Sequence, residues 1–163
     1  MGDKIYKYVQ SNTVLFGGEA GIHFHPIRMK WLHLESTFST VTGKQPNGEY
    51  LPFIPADKLH FEILAEKEKL GVFHDAFIKA NSTTAFNQSK PSPEEEMTPG
   101  YSLFDFGFGA SIKAGNQKLS LAIGLNNIFD KKYIDHLSTL KEVGFYNPGR
   151  NIYLSLKTPF GIK

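Results

Sequence analysis

The chain contains no cysteine and a single tryptophan among 163 residues. Without cysteine no disulfide staples the fold, which suits an exported protein that avoids oxidising machinery and equally suits many cytosolic ones. No run approaches the roughly 18 to 20 consecutive apolar residues that a membrane helix needs, so helical spanning is excluded while spanning by strands is not. Charge of one sign is also missing. The 18 Lys and Arg against 16 Asp and Glu leave a net +2, spread without a basic stripe, so nothing points to a nucleic-acid partner. The opening MGDKIYKYVQ lacks a positive n-region followed by an apolar h-region and is not a signal peptide.

Aromatic residues are plentiful at 13%, with 14 Phe and 7 Tyr, and this mix favours strands over helices. The mean hydropathy of −0.27 would by itself describe a soluble protein. In a transmembrane barrel, however, lumen-facing residues offset lipid-facing ones and hide the protein from such averages. Alternation carries more information. In 102–114, Ser102, Phe104, Phe106, Phe108, Ala110, Ile112 and Ala114 share one face, and Tyr101, Leu103, Asp105, Gly107, Gly109, Ser111 and Lys113 share the other. Leu59, Phe61, Ile63 and Ala65 oppose His60, Glu62, Leu64 and Glu66; Ile152, Leu154, Leu156 and Phe160 oppose Tyr153, Ser155 and Lys157. A slip of one residue would invert every face, so register is well specified.

Turn residues cut the chain into about eight strand-length segments, at 3–12, 13–25, 31–42, 58–66, 72–87, 101–114, 118–128 and 150–160. The links after 25, 66 and 114 are short (26–30, 67–71, 115–117), and those after 42, 87 and 128 are long (42–57, 88–100, 129–149). Short periplasmic turns alternating with longer extracellular loops are the rhythm of an outer-membrane barrel. The expected fold is therefore all-β: an antiparallel, up-and-down transmembrane β-barrel arrangement of about eight strands, which the resemblance described next makes part of a larger barrel. Neither a long helix nor a parallel strand pair is expected.

The region 119–160, LSLAIGLNNIFDKKYIDHLSTLKEVGFYNPGRNIYLSLKTPF, resembles the C-terminal strands of TonB-dependent outer-membrane receptors. The family's N-x-[FL]-D-K-x-Y corresponds to Asn127-Ile128-Phe129-Asp130-Lys131-Lys132-Tyr133, and its PGRN to Pro148-Gly149-Arg150-Asn151. Upstream, Tyr8-x-Gln10-x-Asn12 with Phe16-Gly17-Gly18-Glu19, then 48–55 (GEYLPFIP) ahead of Lys58-Leu59, then Thr98-Pro99-Gly100-Tyr101, follow in the family's order. Residues 1–163 are thereby identified as the C-terminal portion of such a barrel, without signal peptide, plug domain or the short box that contacts the inner-membrane energiser. The resemblance implies several things. The location is the outer membrane of a Gram-negative bacterium, and the parent takes up chelated nutrients, iron–siderophore complexes first among them, driven through the TonB system. The partners implied are outer-membrane lipid, the parent barrel strands and plug, and the transported chelate. No resident cofactor and no enzymatic activity are implied. The family's terminal aromatic, a signal for the insertion machinery, corresponds to Phe160, although Gly161-Ile162-Lys163 follow it here. The alternative reading is a self-contained small barrel of about eight strands that binds a ligand or acts in adhesion.

Candidate site residues follow from the facing. Glu19, His33, Glu35, His60, Glu62 and Asp105 are expected to face the lumen, and Arg150 and Asn151 to stand at the extracellular rim. A hairpin turn centred near Arg28 would set His23 opposite His33 and His25 opposite Trp31. His23, His25 and His33 with Glu35 would then form a cluster with metal-binding chemistry, weighed against the ordinary polarity of a lumen wall, which is the more economical reading. Asn126, Asn127 and Asp130 should shape the exit from the penultimate strand. Asp135, His136 and Ser138 have hydrolase residue types but sit in a loop with no rigid element to preorganise them. Cutting a wall leaves two open edges, so the isolated piece is expected to close on itself or, by a small margin, to pair edge to edge with another copy.

Overall fold

The computed structural model describes residues 10, 12–115 and 117–159. Seven strands follow one another: β1 (Val14–Phe24), β2 (Leu32–Lys44), β3 (Lys58–Leu70), β4 (Phe73–Ala85), β5 (Tyr101–Ala114), β6 (Gln117–Asn126) and β7 (Asn151–Lys157). They form one sheet in the order β1-β2-β3-β4-β5-β6-β7, every neighbour antiparallel. The up-and-down meander anticipated from alternation is the architecture. The one helical element among the described residues is a single 3₁₀ turn, Lys141–Val143, in the last long loop. The segment 3–12 and the aromatic Phe160 lie outside the described residues, apart from positions 10 and 12.

Register makes the two faces continuous across the sheet. One row runs Phe24–Leu34–Ile63–Ala80–Phe106–Leu125–Ile152 through all seven strands, each residue directly opposite the next. One residue along, on the other face, runs His23–Glu35–Glu62–Asn81–Asp105. Because side chains alternate, an apolar row on one face and a polar row on the other follow from a single register.

Burial is inverted relative to a water-soluble domain. Phe106 is 37% exposed and Phe108 43%, while Asp105 before them is half-buried and Gly107 between them is buried. Ala85 is the single buried apolar residue among the described residues, so the sheet encloses no hydrophobic core. The accessible surface is 12697 Å², against roughly 8,100 Å² for a folded monomer of this mass. An apolar face of this extent is seldom left in water.

Several boundaries differ from the sequence reading. β3 continues through Glu66–Leu70 to a tight Gly71-Val72 turn, where the charged stretch suggested a turn over 67–71. Lys67 pairs with Ala76 and Lys69 with His74, so these charges decorate a hairpin that carries on past the apolar rows. Gly71 takes φ 62°, a left-handed conformation open to glycine at no steric cost. A bulge between His74 and Phe77 shifts the β4–β5 register, and Asp75 within it, at φ 45°, pairs with Lys118. β7 ends at Lys157 rather than near 160.

Candidate functional site

Two places concentrate polar chemistry: the polar face of the sheet and the interlocked loops at one end of it. On the face, Lys79 Nζ lies 2.7 Å from Glu62 Oε2, offsetting the charge that Glu62 would otherwise set against Glu35 directly opposite. His60 sits 3.8 Å from the same carboxylate and bonds Thr83 Oγ1 through Nδ1 at 3.1 Å. Asp105 Oδ1 accepts the backbone N–H of Asn127 at 2.7 Å. Glu19, on the same face, pairs in register with Ser39. The geometry thus brings Glu35, His60, Glu62 and Asp105 onto one polar wall, with Glu19 and His33 on the same side at its margins. Lys79, Asn81 and Thr83 complete the wall and were not singled out in the sequence. Extending the alternation through β4 would have found them, since Ile78, Ala80 and Ser82 stand between.

The histidine pairing is corrected. His23 faces Glu35, not His33, with Nε2 3.2 Å from Glu35 Oε2. Because Phe24 pairs with Leu34, the turn is centred one residue later than expected, near Met29, and it is His25 rather than His23 that meets His33; His25 is not opposite Trp31. A shift of one in the turn centre moves the register by two, so the facing survives while the partners change.

At the other end, the three long loops fasten to one another. Gln88 Nε2 donates to the carbonyls of Ile54 and Pro55 at 2.9 and 3.1 Å, tying the β4–β5 loop to the β2–β3 loop. Glu95 accepts the N–H of Phe53, again across those loops. The β6–β7 loop joins through His136, 4% exposed, whose Nδ1 is 2.7 Å from Thr98 Oγ1. Asp135 Oδ2 accepts from Tyr101 Oη at 2.6 Å and from Lys58 Nζ at 3.2 Å. Asp135 and His136 therefore hold loops together, and Ser138 meets Asp135 only through a backbone hydrogen bond, 2.9 Å from Ser138 N to Asp135 O.

At the exit from β6 Asn127 bonds nearby backbone as anticipated, while Asp130 acts over a longer range. Asn127, at φ 50° and buried, donates from Nδ2 to Lys131 O and accepts Lys131 N on Oδ1. Asp130 takes the N–H of Arg150 at 2.9 Å, which ties the two ends of the 24-residue loop 127–150 together and places Arg150 and Asn151 at the start of β7.

The titratable groups of this loop cluster are expected to make it acid-sensitive. Burial pushes the Asp135 carboxyl up, but the hydrogen bonds from Tyr101, Leu137 and Lys58 outweigh it and hold its pKa below the ordinary value. Glu95 is likewise raised by burial yet held below its ordinary value by the N–H groups of Phe53 and Ser92 and by His136 and Lys141. His136 is lowered by burial and by Lys141, against the opposing pull of Glu95 and Asp135. All three shifts favour the form present at neutral pH. The His136 contribution is complete above its ordinary 6.5 and falls as pH drops from there toward the lower folded value. The carboxylate contributions hold above 4.5 and 3.8 and are lost as pH falls through the still lower folded values. Hydrogen exchange, corrected for its intrinsic pH dependence, is expected to show loop amides around Ser92–Thr98 and Asp135–Asn147 opening between pH 7 and 5, with β3–β5 amides unchanged. Equal or greater loop protection at pH 5 would contradict this.

No protein-family model matches the chain, and no curated protein matches it. Among solved structures, one titled "Copper transporter OprC" superposes with a TM-score of 0.75 at 18% sequence identity, over 90% of this chain. The likeness is one of fold. The chain spans 23% of that protein's length, so the comparison is with one segment of a much longer chain.

Proposed function

We propose that the chain is the C-terminal part of the wall of a TonB-dependent outer-membrane receptor, whose parent protein takes up scarce chelated nutrients. The observation that carries this reading is the seven-strand meander with an apolar row across one face, polar rows across the other, and all three long loops at one end. Such a sheet separates lipid from a wet lumen. The order of the receptor-like motifs and the fold likeness to a chain titled as a copper transporter support it. Metal uptake is the common ground between that title and the receptor resemblance; iron–siderophore complexes remain the cargo proposed for this parent. The long loops face the cell exterior, Arg150 and Asn151 stand at their rim, and Phe160 serves as the insertion signal. Among the described residues β1 and β7 do not pair with one another, which favours a wall segment over a small closed barrel.

With no cysteine in these 163 residues, an introduced thiol here reports its own position once the labelling of the unsubstituted parent is subtracted. Phe53→Cys lies in a long loop and Val72→Cys in a tight turn, both positions well exposed. In whole cells producing the parent, a membrane-impermeant maleimide is expected to label Phe53→Cys at once and Val72→Cys only after the outer membrane is permeabilised. Labelling of both, or the reverse order, would sink the placement. Deleting the parent gene should abolish growth on a ferric chelate as sole iron source; unimpaired growth would remove the cargo.

A further inference from the structure

The β1–β2 turn gathers three of the chain's 6 histidines. His25 Nδ1 and His33 Nδ1 are 2.7 Å apart, their rings meeting edge to face with centroids 4.7 Å apart. The His23 ring stacks beside His25 at 6.3 Å, with its own Nε2 on Glu35. On the far side of His33, the buried Nε2 lies 3.0 Å from Glu66 Oε1, off the line of a formed hydrogen bond.

Two neutral imidazole nitrogens facing each other at this distance must share a proton or share a cation. The Glu66 carboxylate beside His33 Nε2 favours the proton on that nitrogen, which leaves His33 Nδ1 as a bare lone pair turned toward His25. A carboxylate behind an imidazole, with the opposite nitrogen free, is the outer-shell arrangement of histidine metal ligands; here Glu66 stands at that distance, and a small turn of the ring would align the hydrogen bond. Spacing agrees with this. Two nitrogens, each about 2.0 Å from one metal and at right angles about it, stand roughly 2.8 Å apart. Among the described residues no three His, Cys, Asp or Glu side chains are grouped so as to hold a metal by themselves, so the protein supplies two ligands and water the rest. No thiolate competes, since the chain has no cysteine.

We propose that His25 and His33 form a two-imidazole site for a late first-row divalent cation, Cu(II) before Ni(II) or Zn(II), with Glu66 as the positioning residue for His33. Imidazole suits all three ions, and the order of affinity for a given nitrogen site puts Cu(II) first. His23, held by Glu35, flanks the pair without joining it. The site lies at the tight-turn end of the polar face, remote from the loop cluster. Both ligands come from the β1–β2 hairpin and Glu66 from the adjoining β3; the site binds independently of what the parent transports, so its failure and the failure of the receptor reading are separable.

Copper(II) alone is the probe, added to the full chain folded in detergent. Electron paramagnetic resonance of the unmodified chain is expected to show hyperfine structure from two equivalent imidazole nitrogens at one equivalent of metal. His25→Ala and His33→Ala should each abolish the two-nitrogen signal, His23→Ala should keep it, and Glu66→Gln should weaken binding about tenfold. A one-nitrogen signal from the unmodified chain, or a two-nitrogen signal that persists in the His25→Ala/His33→Ala double variant, would overturn the assignment. The first of these readouts needs no variant and stands even if a substitution disturbs the hairpin. A signal lost equally in His23→Ala would overturn the choice of ligands.

Discussion

Replacing Phe106 by Arg in the intact barrel is expected to cost about 2–4 kcal/mol of folding stability in lipid vesicles, the range for a basic residue facing the middle of a bilayer. Phe106 lies in the apolar row that crosses all seven strands, between Ala80 on one side and Leu125 on the other. An Arg there has only Ala80 and Leu125 directly beside it and must distort the lipid or leave it. The neighbouring position answers differently. Asp105 is directed to the polar face, where its Oδ1 accepts the Asn127 N–H. Asp105→Asn keeps that acceptor, so its cost should stay near or below about 1 kcal/mol. Denaturant titration of both variants in the same vesicles provides the comparison. Equal costs at 105 and 106 would mean that the sheet does not separate lipid from water.

The second large effect is expected at Gly124. In β6 this residue pairs with Tyr153 of β7, and a Cβ built on it would overlap the Tyr153 ring. The ring lies across the space that glycine leaves open, so Gly124→Ala must push it off its place or move β7. Overpacking of this kind costs about 1–3 kcal/mol. The β6–β7 contact should loosen first, because β7 has a paired neighbour on one side only among the described residues. A double-mutant cycle separates crowding from backbone effects: with Tyr153→Ala already present, Gly124→Ala should cost much less. An additive pair would show that the tyrosine ring is not what requires glycine there. Gly107, the next residue along this rung, stands opposite Gly124 and has no backbone or side-chain atom close enough to crowd an added methyl severely. The requirement is therefore specific to one glycine of the pair.

The loop cluster and the histidine turn sit at opposite ends of the same sheet and differ in how they are held. At the long-loop end, residues far apart in sequence meet: Phe53 with Glu95, Thr98 with His136, Lys58 and Tyr101 with Asp135. At the turn end, His23, His25 and His33 are brought together by one hairpin. A fault in loop packing would leave the turn intact, and the reverse holds as well. This makes the acid response of the loops and the metal response of the turn independent measurements on one molecule.

The face of each strand was legible in the amino-acid order, because the period of two is a local property of extended backbone. Phe104, Phe106 and Phe108 against Asp105 and Gly107 needed no tertiary information, and neither did the alternation of short turns with long loops. Asn127 was legible for the same reason: its side chain bonds the backbone of Lys131 close by in the chain, whereas Asp130 reaches Arg150 across the whole loop. Turn centres and strand ends were less so. The charged run ending β3 reads as a loop by composition, yet Glu66, Lys67, Lys69 and Leu70 pair with β4, since a hairpin continues wherever its backbone groups can satisfy each other. The histidine turn shows the same limit: a displacement of one residue in its centre leaves every face correct and exchanges the partners. What only the tertiary structure decided are the contacts between elements distant in sequence: the burial of His136 against Thr98, the Tyr101–Asp135–Lys58 junction, and the seat of Tyr153 on Gly124. Local pattern specifies which way a side chain points; which residue it meets depends on register and on the course of long loops, and no local period encodes those.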